Sequence, residues 1–234
     1  DGREAVGSGN ASLLPGGDIE TAIEKAVLTA SLVANPVHTV PAPAPLPDVP
    51  LVDVDLQNDA AAITNAVMEQ IQAAASRNPN VQLTAAECFG EIQTTHLVNS
   101  RGIDAEQEDT QINLEFVLHS QRGDQDVETF EEMCRRRVAD LDIESEIAQK
   151  TIQTLDQFEA GAPPSWQGPV VLQGSVLATF MAGDNLGGGV LHTLASAQAK
   201  YAKYSSWEIG KSVFRGEVKG DPLNVWANPC IPFG

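Results

Sequence analysis

Thr110-Gln111-Ile112-Asn113-Leu114-Glu115-Phe116-Val117-Leu118-His119 is the stretch on which the fold class turns. Thr110, Ile112, Leu114, Phe116 and Leu118 fall on one side of an extended chain; Gln111, Asn113, Glu115 and His119 fall on the other. A two-residue period with one apolar and one polar side means an antiparallel sheet with one face on a core and one in water. Upstream, Asn99-Ser100-Arg101-Gly102 is a turn, and Val81 to Phe89 and Glu91 to Asn99 read as strands, with Gly90 marking a bulge or break between them. Downstream, Gln121-Arg122-Gly123-Asp124 is another turn, and 126–139 reads as a further strand.

Helices flank this sheet. Asp18 is placed as a cap for Ile19, Ala22, Ile23, Ala26, Val27, Ala30 and Val33, the stripe of an amphipathic helix that ends at Asn35-Pro36. Asp59 opens a second helix with Ala60, Ile63, Val67, Ile71 and Ala74 on one side, closing near Asn78-Pro79. A third runs from Asp142 to Ala160, with Ile143, Ile147, Thr151, Leu155 and Phe158 inward and Gly161 just past its end. The fold class expected is therefore α+β, an antiparallel sheet flanked by amphipathic helices. Between the first two helices, residues 36–50 hold six of the 14 prolines, which allow neither helix nor central strand and predict an extended stretch over the surface. A ligand for a proline-binding module is the alternative. Beyond the third helix, Gly168 to Leu172 is expected as a short buried strand, Ser175 to Met181 as an apolar helix, Gly183 to Gly189 as a turn, and Val190 to Tyr201 as a last helix.

Charge narrows the partners. With 14 Lys+Arg against 32 Asp+Glu the net charge is −18, which argues against general affinity for nucleic acid or an anionic membrane surface. No apolar run approaches the roughly 18–20 residues of a membrane span, and the first residues lack a signal-peptide pattern. Cys88, Cys134 and Cys230 are odd in number, far apart and without a C-x-x-C pair, which points to free thiols in a reducing, cytoplasmic compartment. Residues 104–159 carry 16 acids and five bases, a net −11, whereas 200–219 carry Lys200, Lys203, Lys211, Arg215 and Lys219 against Glu208 and Glu217. Tyr201, Tyr204 and Trp207 interleave with those bases, which fits a helix end with its dipole balanced first, a protein or peptide interface next, and a single-stranded nucleic acid least.

Reactive constellations are sparse. His38, His96, His119 and His192 lie far from one another and H-E-x-x-H is absent, so no catalytic residue and no metal ligand is assigned. Gly174-Ser175-Val176-Leu177 fails the nucleophile-elbow pattern at its last position. Cys134, beside Arg135, Arg136 and Arg137, is the more reactive thiol on electrostatic grounds, although a lone cysteine is usually structural. The candidate binding residues are Asp184, Asn185, Gly187, Gly188 and His192, where glycine-rich amides at a helix start could hold an anion or simply form a flexible turn.

The order of landmarks resembles the TldD/PmbA family, also called modulator of DNA gyrase. Asp1-Gly2-Arg3, Val6-Gly7-Ser8, the helix from Ile19 and the proline-rich stretch are similar to its middle region. Leu97-Val98-Asn99-Ser100-Arg101-Gly102-Ile103, with Glu106 and Glu108 following, resembles its strand–NSxG–strand passage. Pro169-Val170-Val171-Leu172 looks like its PVVL strand, and Ser206 to Phe214 like a later G-x-K-V-F segment. In TldD-type members the helix after that strand carries H-E-x-x-x-H; here Phe180 to Ala195 offers Asp184, Asn185 and His192 instead. The resemblance thus implies the PmbA (TldE) branch: a non-zinc-binding subunit of a peptidase complex acting on unfolded peptides or peptide precursors. Zinc would sit only in a TldD-like partner, and self-association is the alternative assembly. Family members run to roughly twice this length, which implies a central portion of a PmbA/TldD-like fold. On this reading 1–50 is a helix and proline-rich linker of an N-terminal region, 51–165 an α+β domain, and 166–234 the start of a C-terminal domain. An independent hydrolase around Asp184, Asn185 and His192, or a non-catalytic protein-binding scaffold, remain the rival readings.

Overall fold

The computed structural model describes residues 5–37, 39–162, 164–182, 189–213, 217, 225–226 and 228–233. They fall into two compact units, Asp1–Ala160 with Asn228–Gly234, and Gly161–Ala227.

The first unit is built on three antiparallel strands, β1 (Gln82–Val98), β2 (Asp104–Arg122) and β3 (Gln125–Arg135), in the order β1-β2-β3. The alternation at 110–119 is realised as read: Thr110, Ile112, Leu114, Phe116 and Leu118 are buried and the residues between them half-exposed. Both turns form where expected. Gly102 and Gly123 adopt φ of +92° and +62°, which any side chain would resist. Segment 126–139 is strand as far as Arg135, then a 3₁₀ turn at Val138–Asp140.

Gly90 departs from expectation. No break occurs there: β1 is continuous for 17 residues, and its register shift lies at Leu83/Ala85. The glycine answers to packing instead. A Cβ at Gly90 would come within 2.9 Å of Leu56, 3.2 Å of Thr64 and 3.3 Å of Ala60, so its missing side chain lets the helices approach the strand.

Those helices are α2 (Val54–Asn58), which the sequence reading did not separate out, and α3 (Ala60–Ala75), capped by Asp59 as expected. α4 (Ile143–Asp156) begins after Asp142 and runs into a 3₁₀ turn at Gln157–Glu159. Val67, Ile71, Ala74, Ile143 and Ile147 lie against Ile112, Leu114, Phe116, Leu118 and Met133 to form one core on one side of the sheet. Full burial of each large side chain contributes about 1.5–3 kcal/mol, so this layer outweighs any single polar contact. Arg77 closes the helix pair, its Nη2 donating to Glu144 Oε1 at 2.6 Å.

α1 (Ile19–Ser31) is capped by Asp18, but none of its residues is buried; Ile19, Ile23, Val27 and Leu28 are all exposed. Its partner is the segment before it. Val6 and Asn35 exchange backbone hydrogen bonds, and Gly7 and Gly9 pass so close to Ala30 and Ala26 that no side chain would fit. The described residues of the proline-rich stretch have no regular secondary structure and are almost all exposed. Asn99 and Arg101 pin it to the β1–β2 turn: Asn99 Nδ2 donates to the Pro41 carbonyl at 2.9 Å and Arg101 Nη1 to the Val40 carbonyl at 2.8 Å.

The second unit contains α5 (Gly174–Ala182), α6 (Val190–Ala195) and α7 (Ala197–Tyr201). The single helix expected over 190–201 is split, because Ser196 leaves the helical region and caps a new turn through Ala199 N at 3.0 Å. The strand expected at 168–172 is not formed; Val170 and Val171 are exposed. A four-residue apolar run without flanking periodicity does not distinguish a strand from a surface segment, and among the described residues no strand pairs with it. No helix of the described residues is long and apolar enough to cross a membrane.

Candidate functional site

Asp184, Asn185, Gly187 and Gly188 lie outside the described residues, as does His38. His192 is exposed in the last turn of α6. The other two histidines are strand residues with one carboxylate each: His96 Nε2 lies 2.6 Å from Asp104, and His119 pairs closely with Asp126 across the β2–β3 hairpin. Neither pair converges with a third donor. Among the described residues no group of three or more His, Cys, Asp or Glu side chains could hold a metal ion.

At Cys134 the basic neighbours are outweighed. Removal from water pushes its thiol up; Arg135 and Arg136 pull it down, while Glu132 and Glu91 oppose them. Glu132 stands two residues before Cys134 on the same strand, whereas Glu91 is brought near by the sheet register, which a linear reading could not see. Burial likewise pushes the Cys88 thiol up. All three cysteines are free.

Two concave regions stand out in the first unit. One, of about 480 Å³, lies at the end of the sheet and is lined by Asn80, Gln82, His119, Ser120, Arg122 and Phe158 among others. Three of its polar side chains, His119, Ser120 and Arg122, are already engaged. Ser120 Oγ donates to the Asn80 carbonyl at 2.6 Å, and Arg122 lies 4.5 Å over the Phe158 ring while bonding Glu159 at 2.8 Å. Side chains satisfied internally have little left to offer a ligand.

The other, of about 470 Å³, runs between α3 and the outer edge of β1. Asn65, Met68, Glu69 and Gln72 line it from the helix, and Leu83 and Ala86 from the strand. β1 is an end strand of the sheet, so its outer backbone groups have no strand partner among the described residues. The register shift at Leu83/Ala85 lies within this groove. The sheet's wet face is strongly acidic: Glu87, Glu115 and Glu132 stand directly opposite one another across all three strands. Like charges in such positions destabilise a sheet. The sequence showed that Glu115 faces water; the row itself needed the register.

In the second unit, Lys200 and Tyr201 of the basic and aromatic stretch end α7, whereas Arg215 and Lys219 lie outside the described residues. Lys200, in the last turn of α7, donates to the Trp207 carbonyl at 2.7 Å, and Tyr201 and Tyr204 are exposed.

No family model matches the chain, and no curated protein matches it. Two solved structures are similar. A protein from Thermotoga maritima provisionally described as a modulator of a DNA gyrase aligns at a TM-score of 0.52 and 11% identity, over 64% of this chain and 34% of its own. TldE from Thermococcus kodakarensis aligns at a TM-score of 0.47 and 20% identity, over 58% of this chain and 31% of its own. The chain thus spans about a third of the length of these structures. The likeness to the Thermotoga protein shows a shared α+β fold, a partial PmbA/TldD-like one.

Proposed function

We propose that this chain belongs to the TldE side of the TldD/PmbA family and serves as the non-metal subunit of a cytoplasmic complex that handles unfolded peptides. The observation that carries the reading is the fold shared with the Thermotoga protein. Two features of the sequence support it: the family-like landmarks from Val6 to Phe214 in order, and the missing H-E-x-x-x-H between Phe180 and Ala195. Catalytic zinc would belong to a TldD-like partner. The metal would polarise a peptide carbonyl and activate a water, chemistry for which the described residues offer no ligand set.

Zinc analysis and pull-down of the natural full-length protein with a family member bearing H-E-x-x-x-H test this. The expected outcome is no stoichiometric zinc and no peptide cleavage by this protein alone, and chelator-sensitive cleavage by the pair. Stoichiometric zinc with cleavage by this protein alone, or failure to associate with the partner, would overturn it.

A further inference from the structure

We propose that the groove between α3 and the outer edge of β1 docks an extended, Lys/Arg-bearing peptide segment, which adds to the sheet as a fourth strand. This goes beyond the preceding reading by assigning a binding place and a charge preference on this chain, and it needs no metal-bearing partner.

Three observations converge on the groove. The outer backbone of β1 has donors and acceptors without a strand partner among the described residues, and another extended backbone complements such a row best. A helix stands beside that edge, so alternate side chains of an added strand would enter the cleft lined by Met68, Leu83 and Ala86. Glu69 is the ionisable side chain lining the groove, and among the described residues it forms no ion pair.

Charge selects the occupant. A second copy adding its own β1 would carry a second α3 onto the same side of the continued sheet and bring Glu69 toward its counterpart, between two chains of net charge −18 each. An acidic peptide meets the same repulsion, and proline at a bonding position lacks the required amide. A segment with lysine or arginine at alternate positions on the helix side, their stems along Met68, Leu83 and Ala86 and their charges at Glu69, and small or branched residues between them, satisfies edge, cleft and charge together.

The test uses the full chain and three labelled nine-residue peptides: one alternating lysine with valine and threonine, one with glutamate for lysine, and the lysine peptide N-methylated at alternate residues. Fluorescence anisotropy should show the lysine peptide binding and the other two at least about tenfold weaker. Amide exchange should slow at 83–87. Glu69→Lys should weaken the lysine peptide about two- to fivefold, as expected for one exposed charge pair, while Glu24→Lys on α1 should leave it unchanged. Absence of binding, equal binding of the N-methylated peptide, protection confined to another edge such as Asp104–Asp109, or protection at 83–87 without peptide in a sedimenting dimer would each overturn the proposal. No metal-bearing subunit is present in the assay, so its outcome is separate from that of the pull-down.

Discussion

Thr110 joins three segments that are distant in sequence. Its amide donates to the Leu51 carbonyl at 3.1 Å, and its hydroxyl accepts from Asp53 N at 2.7 Å and donates to the Arg136 carbonyl at 2.9 Å. Asp53, held in this way, caps α2 through Asp55 N at 3.0 Å and accepts from Val138 N at 2.9 Å. Thr110→Val keeps the shape but removes the hydroxyl, taking this partner from the part-buried Asp53 amide and Arg136 carbonyl. It should cost about 1–3 kcal/mol in urea unfolding, whereas Thr110→Ser should keep most of that contribution. Equal stability of the valine and wild-type proteins would sink this account. That Thr110 faces inward was legible in the strand alternation. Its partners were not, since they lie 57 and 26 residues away and only the fold brings them together.

Among the elements, α1 depends on local bonds because the core does not cover it. Thr21 Oγ1 donates to Asp18 at 2.7 Å, and this bond, then the Thr21 amide, holds the Asp18 carboxyl below its ordinary 3.8. A carboxylate lowered in the folded state stabilises above its unfolded value and loses that contribution as pH falls through its folded value. Helical carbon shifts in Ile19–Ser31 should therefore decline on acidification below about pH 4. Asp18→Asn should retain the cap and flatten that dependence; an unchanged acid response in the variant would assign the fraying to another group. Asp18, Asp59 and Asp142 could each be read as caps because capping involves neighbours within three residues. Gly90 could not be read so, because its requirement comes from Leu56, Ala60 and Thr64 on helices outside the strand.

At the scale of the whole molecule, the division after Ala160 is followed by exposed chain without regular structure, including Trp166, Val170 and Val171. Brief thermolysin digestion should first cut between Gly161 and Gln173 and leave a fragment containing the sheet, identified by mass. First cuts within Gln82–Arg135 would contradict this. The sequence by itself determined the strand at 110–119, the two glycine turns, the capped helices and the acidity of 104–159. All of these arise from periodicity, φ preference, hydrogen bonds or counts within a few residues. Only the tertiary structure decided that β1 is unbroken, that Glu87, Glu115 and Glu132 form a row, that Glu91 acts on Cys134, and that α3 walls a groove beside a strand edge. Each of these depends on strand register or on helix-to-sheet distance, and both are set by burying the common core rather than by neighbours along the chain.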